Sequence, residues 1–201
     1  MEKRAQTSIP INEMLERRWS PRAFANRAVE PEKLRKLFEA ARWSPSSSNN
    51  QPWFFIVSLK ENPEEFARAL DCLRPGNIAW AENAPVLLFT VARRSWPDKP
   101  DPNRHATYDL GQSVAHLTLE AMAEGLFVHQ MGGFFPEKVK ETYGIPDGFD
   151  VMTAVAIGYG GDADSLPDDL HKREIASRTR KPLESFVFAG HWETPAPLLR
   201  N

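Results

Sequence analysis

Leu34, Leu37, Phe38 and Ala41 fall at helical spacing behind Pro31 and a group of early acids. They predict an amphipathic helix over "EPEKLRKLFEAARW" (30–43). Ile11, Met14 and Leu15 predict a shorter one over 11–18. Three runs are apolar without alternation: "WFFIVSL" (53–59), "APVLLFTVA" (84–92) and "DVMTAVAIGYG" (150–160). They read as strands buried on both faces, and "LFVHQM" (126–131) is a fourth strand candidate. Helices are expected at 62–73, 136–144 and 168–175. The longest is expected at 104–124, with Gly125 ending it as a C-cap. Helices alternating with continuous apolar strands suggest, by periodicity alone, a doubly wound α/β sheet.

The 104–124 segment carries two apolar sets, Leu110, Val114, Leu117, Ala121 and Gly111, Ala115, Thr118, Met122. Together they make a face wider than one core contact requires. The pattern allows a central helix of a monomer, and equally a helix that also packs against a second subunit.

Composition narrows the function classes. The 201 residues are 41% hydrophobic and 26% charged, with a formal net charge of −2. That is ordinary for a soluble globular chain and gives no electrostatic footprint for nucleic acid. No apolar run approaches a membrane span, and "MEKRAQTSIPINEML" lacks the apolar core of a signal peptide. The single Cys72 excludes an internal disulfide. A cytoplasmic protein with one domain over 1–201 is expected. The 17 prolines cluster in 95–102, 136–167 and 195–197, where long ordered loops are expected.

Several motif spellings lead nowhere. "GYGGDA" (158–163) fits a dinucleotide-binding turn, but "DADSLPDD" follows where a helix is required, so a turn ending a strand is the better reading. The five histidines lack ligand spacing, no metal site is expected, and no G-x-S-x-G offers a nucleophile. Cys72 sits beside Leu70 and Leu73 in a predicted helix and reads as packing.

Three polar clusters remain: "RRWSPR" (Arg17, Arg18, Ser20, Arg22), "PSSSNNQPW" (45–53), and "SRTRKP" (Arg178, Arg180, Lys181). Guanidinium forks suit phosphate oxygens, and two arginine clusters from opposite ends of the chain can converge on one phosphate. For either alone, a solvated surface is the ordinary reading. Ser and Asn side chains offer uncharged donors and acceptors, which suit hydroxyls and the pyrimidine edge of a nucleotide-like group.

In order and spacing, "RRWSPRAF", "ARWSPSSSNNQPWFFIV", "GLFVHQMGGF" and "RTRKPLESFVF" resemble the nitroreductase family of FMN-dependent oxidoreductases. The resemblance covers about 11–188, and its most specific part is Pro-Ser-Ser-x-Asn-x-Gln-Pro-Trp. It implies an α+β fold: a mixed, mostly antiparallel sheet flanked by helices, in an intertwined homodimer with FMN at the interface. Carried over by motif, Arg17, Arg18, Ser20, Arg178 and Arg180 would hold the phosphate and ribityl end. Arg22 would approach the pyrimidine side. Pro45, Ser46, Ser47 and Asn49, with Gln51 in the same motif, would come from the partner subunit. Backbone N–H groups of Gly132 and Gly133 would lie near flavin N5.

The resemblance further implies ping-pong hydride transfer from NADH or NADPH through N5 to a small-molecule acceptor such as a nitroaromatic or quinone. No side-chain acid or base is required. Relatives that dehalogenate, oxidise azolines or break down flavin keep the same fold. A flavin-binding storage protein is the reading from another class. One departure stands out: several relatives carry a lysine facing the pyrimidine before the second strand, where this chain has "GNIAWAENAP" (76–85). Asn77 offers a neutral contact there, which leaves Arg22 as the cation nearest the reduced ring. The segment 93–106 matches a variable loop over the substrate, where Trp96 reads either as a lining residue or, equally, as an exposed loop tryptophan.

Overall fold

A computed structural model describes residues 2–97 and 101–199. Part of the expected substrate loop, 98–100, lies outside the described residues, as do the chain ends. Seven α-helices occur among the described residues: α1 (Glu13–Arg17), α2 (Pro31–Arg42), α3 (Pro63–Asp71), α4 (Pro75–Ala81), α5 (Ala106–Ala123), α6 (Pro136–Tyr143) and α7 (Asp168–Ile175). Four of them open on a proline in the first turn, where its missing N–H costs nothing and its fixed φ favours the helix. α4 was not expected, because its seven residues include Gly76 and Asn77, which dilute any helical pattern.

The strands are β1 (Trp53–Leu59), β2 (Val86–Arg93), β3 (Phe127–Met131) and β4 (Phe149–Gly158), in the order β1-β2-β4-β3. All three pairings are antiparallel. The doubly wound parallel sheet suggested by periodicity is therefore wrong, and the α+β architecture holds. The physical reason is visible in β2 and β4. Leu87, Phe89 and Val91 with Ala154 and Ala156 face a core built with α3, α4, α6 and α7. Val86, Leu88, Val155 and Ile157 face the opposite core, with Leu34, Leu37, Leu117 and Ala121 of α2 and α5. A sheet covered on both faces needs continuous apolar strands whichever way they pair, so the composition of a strand does not report its direction.

In α5 the two apolar sets part company. Leu110, Val114, Leu117 and Ala121 are buried, and so are Thr118 and Met122. Gly111 and Ala115 are exposed, and Tyr108 beside them is 69% exposed. The 158–163 turn packs tightly rather than opening a helix: a Cβ on Gly161 would lie 2.6 Å from the carbonyl carbon of Phe24.

Candidate functional site

The first and last parts of the chain meet at one cleft. Arg18, Arg178, Arg180 and Lys181 line it, together with Ala5–Ile9, Ile11, Leu15, Pro182 and Leu183. No carboxylate is among these residues. Burial and the neighbouring Arg178 and Arg180 charges push the Arg18 pKa down, and burial with Arg180 does the same to Arg178. Like charges held together without an acid favour an anion between them. Arg178 is anchored by its own Nη1, which donates to the carbonyls of Lys3 at 2.6 Å and Glu16 at 2.8 Å. Arg180 is exposed, and among the described residues its guanidinium donates to the Thr179 carbonyl alone. Arg18 Nη1 donates to Ser20 Oγ at 3.4 Å.

Arg17 does not line this cleft. Its guanidinium pairs with Glu2 at 3.3 Å and Glu13 at 3.8 Å.

Arg22 is half-buried, and burial followed by the Arg173 charge lowers its pKa. Its backbone is fixed by a residue that sequence reasoning missed. Glu174, 1% exposed on α7, accepts from Arg22 N at 2.9 and 3.0 Å and from Ala23 N at 3.1 Å. No local signal announces a contact spanning 152 positions. His129, one of the five histidines without ligand spacing, lies on β3. Its Nδ1 lies 2.8 Å from the Pro21 carbonyl oxygen, and its ring packs 4.4 Å from that of Trp80. Burial is the main cause that pushes His129 down to about 4, against the opposing Pro21 hydrogen bond and aided by Arg22. The neutral ring therefore donates from Nδ1.

Gly132 and Gly133 form the turn after β3. Gly133 O accepts from Asn77 Nδ2 at 2.9 Å and from Arg74 N at 3.0 Å. Asn77, expected to offer a neutral contact, thus braces this turn. The space beside Gly132 is open: a side chain there would meet nothing beyond its chain neighbours within 4 Å. Arg74, a cation just before the segment where a lysine was missed, sits with its Cζ 5.4 Å from the Phe135 ring centre.

The 45–51 loop lines no part of the arginine cleft. It is clasped within itself and strained. Ser48, Asn49 and Gln51 have φ of 50°, 54° and 47°, left-handed values that side chains rarely adopt. Gln51 N donates to Ser46 Oγ at 3.0 Å, and Gln51 Nε2 to Asn49 Oδ1 at 3.1 Å. Buried Asp109 of α5 takes the Ser47 N–H at 3.1 Å, a second anchoring acid that the sequence did not reveal. Pro45 and Asn49 are exposed, and Ser46 and Ser47 half-buried. The loop is thus a preformed polar ledge facing outward. Trp96 is half-buried in the loop after β2.

Comparison with known proteins places these features in context. The profile described as "Nitroreductase family" matches residues 15–159. A Mycolicibacterium smegmatis protein is 33% identical over 132 residues, covering 66% of this chain and 87% of that protein. A Polynucleobacter asymbioticus protein named "Putative NADH dehydrogenase/NAD(P)H nitroreductase" is 32% identical, covering 72% of this chain and 82% of its own. Among solved structures, one described as an oxidoreductase containing FMN superposes with a TM-score of 0.89 at 37% identity, over 93% of this chain and 95% of the other.

Proposed function

The chain belongs to the nitroreductase family, and from that premise we propose that it is a homodimeric, FMN-dependent NAD(P)H oxidoreductase. The observation that carries the reading is the cleft where Arg18, Arg178 and Arg180 converge without a carboxylate. Its donor set fits a terminal phosphate dianion, which FMN has and FAD's diphosphate lacks. The oxidoreductase containing FMN and the relatives named for NAD(P)H support the same assignment.

When bound, FMN supplies the two-electron relay between NADH or NADPH and a small acceptor such as a nitroaromatic or quinone. The protein's work is binding and orientation. Arg18 and Arg180 grip the phosphate, with Arg178 held in place by the Lys3 and Glu16 carbonyls. Ser20 would serve the ribityl end, and Arg22 would offer a positive charge to the pyrimidine edge, which suits the reduced ring. The Gly132–Gly133 turn, with free space beside Gly132, would let the backbone approach the reacting edge. The ledge Pro45–Ser46–Ser47–Asn49, with Gln51, reaches the flavin of the other subunit. Arg17, held by Glu2 and Glu13, shapes the α1 end of the site rather than the phosphate grip.

The test is uptake and reduction. Purified protein is expected to hold FMN stoichiometrically, and NADH or NADPH to bleach it without added protein. Colourless protein that takes up neither FMN nor FAD overturns the proposal. Loaded protein that neither nucleotide reduces favours flavin storage instead.

A further inference from the structure

Glu174 is a fully buried acid that the cofactor reading does not use. A carboxylate removed from water needs compensation, and a single salt bridge is a poor one. Here the compensation comes from the backbone. Two successive N–H groups, Arg22 and Ala23, point into the carboxylate at 2.9–3.1 Å. Lys3 completes the surroundings: its Nζ donates to the Glu174 carbonyl and to the Ala176 carbonyl, the latter at 2.6 Å. Lys3 also takes the Arg178 guanidinium on its own carbonyl. The segment that carries Arg18 and Arg22 is thereby tied to the segment that carries Arg178 and Arg180.

The opposite side of the same backbone is held as well. The Pro21 carbonyl takes the His129 Nδ1–H at 2.8 Å, and His129 is wedged against Trp80. Three consecutive residues, Pro21, Arg22 and Ala23, therefore have their polar backbone groups fixed by side chains from β3 and α7. Pro21 and Ala23 are buried, so their polar backbone groups need partners, and the partners they have flank Arg22, the residue whose guanidinium the proposed function assigns to the pyrimidine edge.

We propose that Glu174 is a positioning residue that acts through the Arg22 backbone to hold the Arg22 guanidinium at the flavin's pyrimidine edge, with His129 as the opposing hold. This rests on the flavin reading given above. Glu174 touches neither cofactor nor substrate in this role. Replacing it by glutamine keeps the volume but turns one acceptor into an NH₂ facing backbone N–H groups, so the brace loosens while the side chain stays in place.

The experiment has two readouts. In flavin-free protein, Glu174→Gln is expected to speed amide hydrogen exchange at Arg22 and Ala23, while the amides of β2 keep their protection. In FMN-loaded protein, a four-member cycle of wild type, Glu174→Gln, Arg22→Ala and the double variant is followed by flavin reduction rate and midpoint potential. Glu174→Gln is expected to slow reduction about tenfold, the kinetic equivalent of one lost charge-assisted contact, in the wild-type background only. In the Arg22→Ala background it is expected to change neither rate nor midpoint, because Glu174 then has nothing left to position.

Equal effects in both backgrounds, or unaltered exchange at Arg22 and Ala23, overturn the proposal. If Glu174→Gln does not fold, His129→Ala takes its place in the same cycle with His129→Gln, which keeps a donor for Pro21, as the rescue. Additive effects there overturn it too. Wild-type protein that takes up no FMN defeats the flavin reading alone, and the exchange result then decides whether Glu174 fixes this backbone.

Discussion

The side-chain amide of Asn77 donates to the carbonyl oxygen of Gly133 at 2.9 Å, so a residue of α4 holds the turn that follows β3. The approach is close enough that a Cβ on Gly133 would lie 2.5 Å from Asn77 Nδ2. Gly133→Ala is expected to destabilise by about 1–3 kcal/mol, because Asn77 is pinned by the bond it makes and cannot swing clear without losing it. Asn77→Ala alone should cost about 1 kcal/mol, since Arg74 N still satisfies the Gly133 carbonyl. The double variant should cost less than the sum, because removing Asn77 removes the clash. Urea unfolding of the four proteins measures this. Strict additivity would show that the two residues do not meet.

The arginine cleft separates two kinds of contribution. Arg180 is exposed and, among the described residues, bonds only its neighbour's carbonyl, so Arg180→Ala should weaken FMN binding by about 10- to 100-fold with little change in unfolding. Arg178 also ties down the Lys3 and Glu16 carbonyls, so Arg178→Ala should weaken binding and lower flavin-free stability by roughly 1–2 kcal/mol. Both affinities should fall as salt rises, as expected where a dianion is bound by charge. Fluorescence titration with FMN checks each variant. Undiminished affinity in Arg180→Ala would remove it from the phosphate grip.

His129 makes stability depend on pH. Its pKa is pushed down to about 4 from an ordinary 6.5, mainly by burial. Between those values the unfolded chain binds the proton and the folded chain does not, so stability falls as pH drops from about 6.5 towards 4. The loss reaches at most about 3 kcal/mol below pH 4. His129→Gln retains a donor for Pro21 and has no proton to bind, so this part of the slope should vanish. Denaturation midpoints from pH 7 to pH 4 decide the matter, and parallel slopes for the two proteins would assign the acid sensitivity elsewhere.

Much of this molecule can be read in its sequence, and the limits have physical causes. Helical spacing at Leu34, Leu37 and Ala41 marks α2 because that helix has one buried face. Strand direction is not readable, because Leu87 and Leu88 serve two cores and a sheet covered on both sides is apolar in any pairing. The arginine-rich and serine-rich motifs could be picked out because charge and polarity need local explanation. Glu174, Asp109 and His129 could not. Each works by holding a backbone N–H or carbonyl 62 to 152 positions away, and such contacts leave no periodic trace.

Ala115 is exposed on α5, on the same side as Gly111 and Tyr108. Small residues on an exposed face permit close approach of a second helix, and the outward 45–51 ledge lines no part of the arginine cleft. If a second copy covers this face and receives the ledge, Ala115→Asp should abolish the dimer and flavin retention together. Light scattering with absorbance detection reads both at once. A monomeric variant that keeps stoichiometric FMN would contradict the shared-site arrangement.

The most direct test of the central claim is anaerobic titration of the purified, FMN-loaded protein with NADH and, separately, with NADPH, followed by addition of a quinone or nitroaromatic. The account predicts that at least one nucleotide bleaches the flavin absorbance and that the acceptor restores it in a second, independent step. Flavin that stays oxidised under both nucleotides, in protein shown to hold it stoichiometrically, would contradict it.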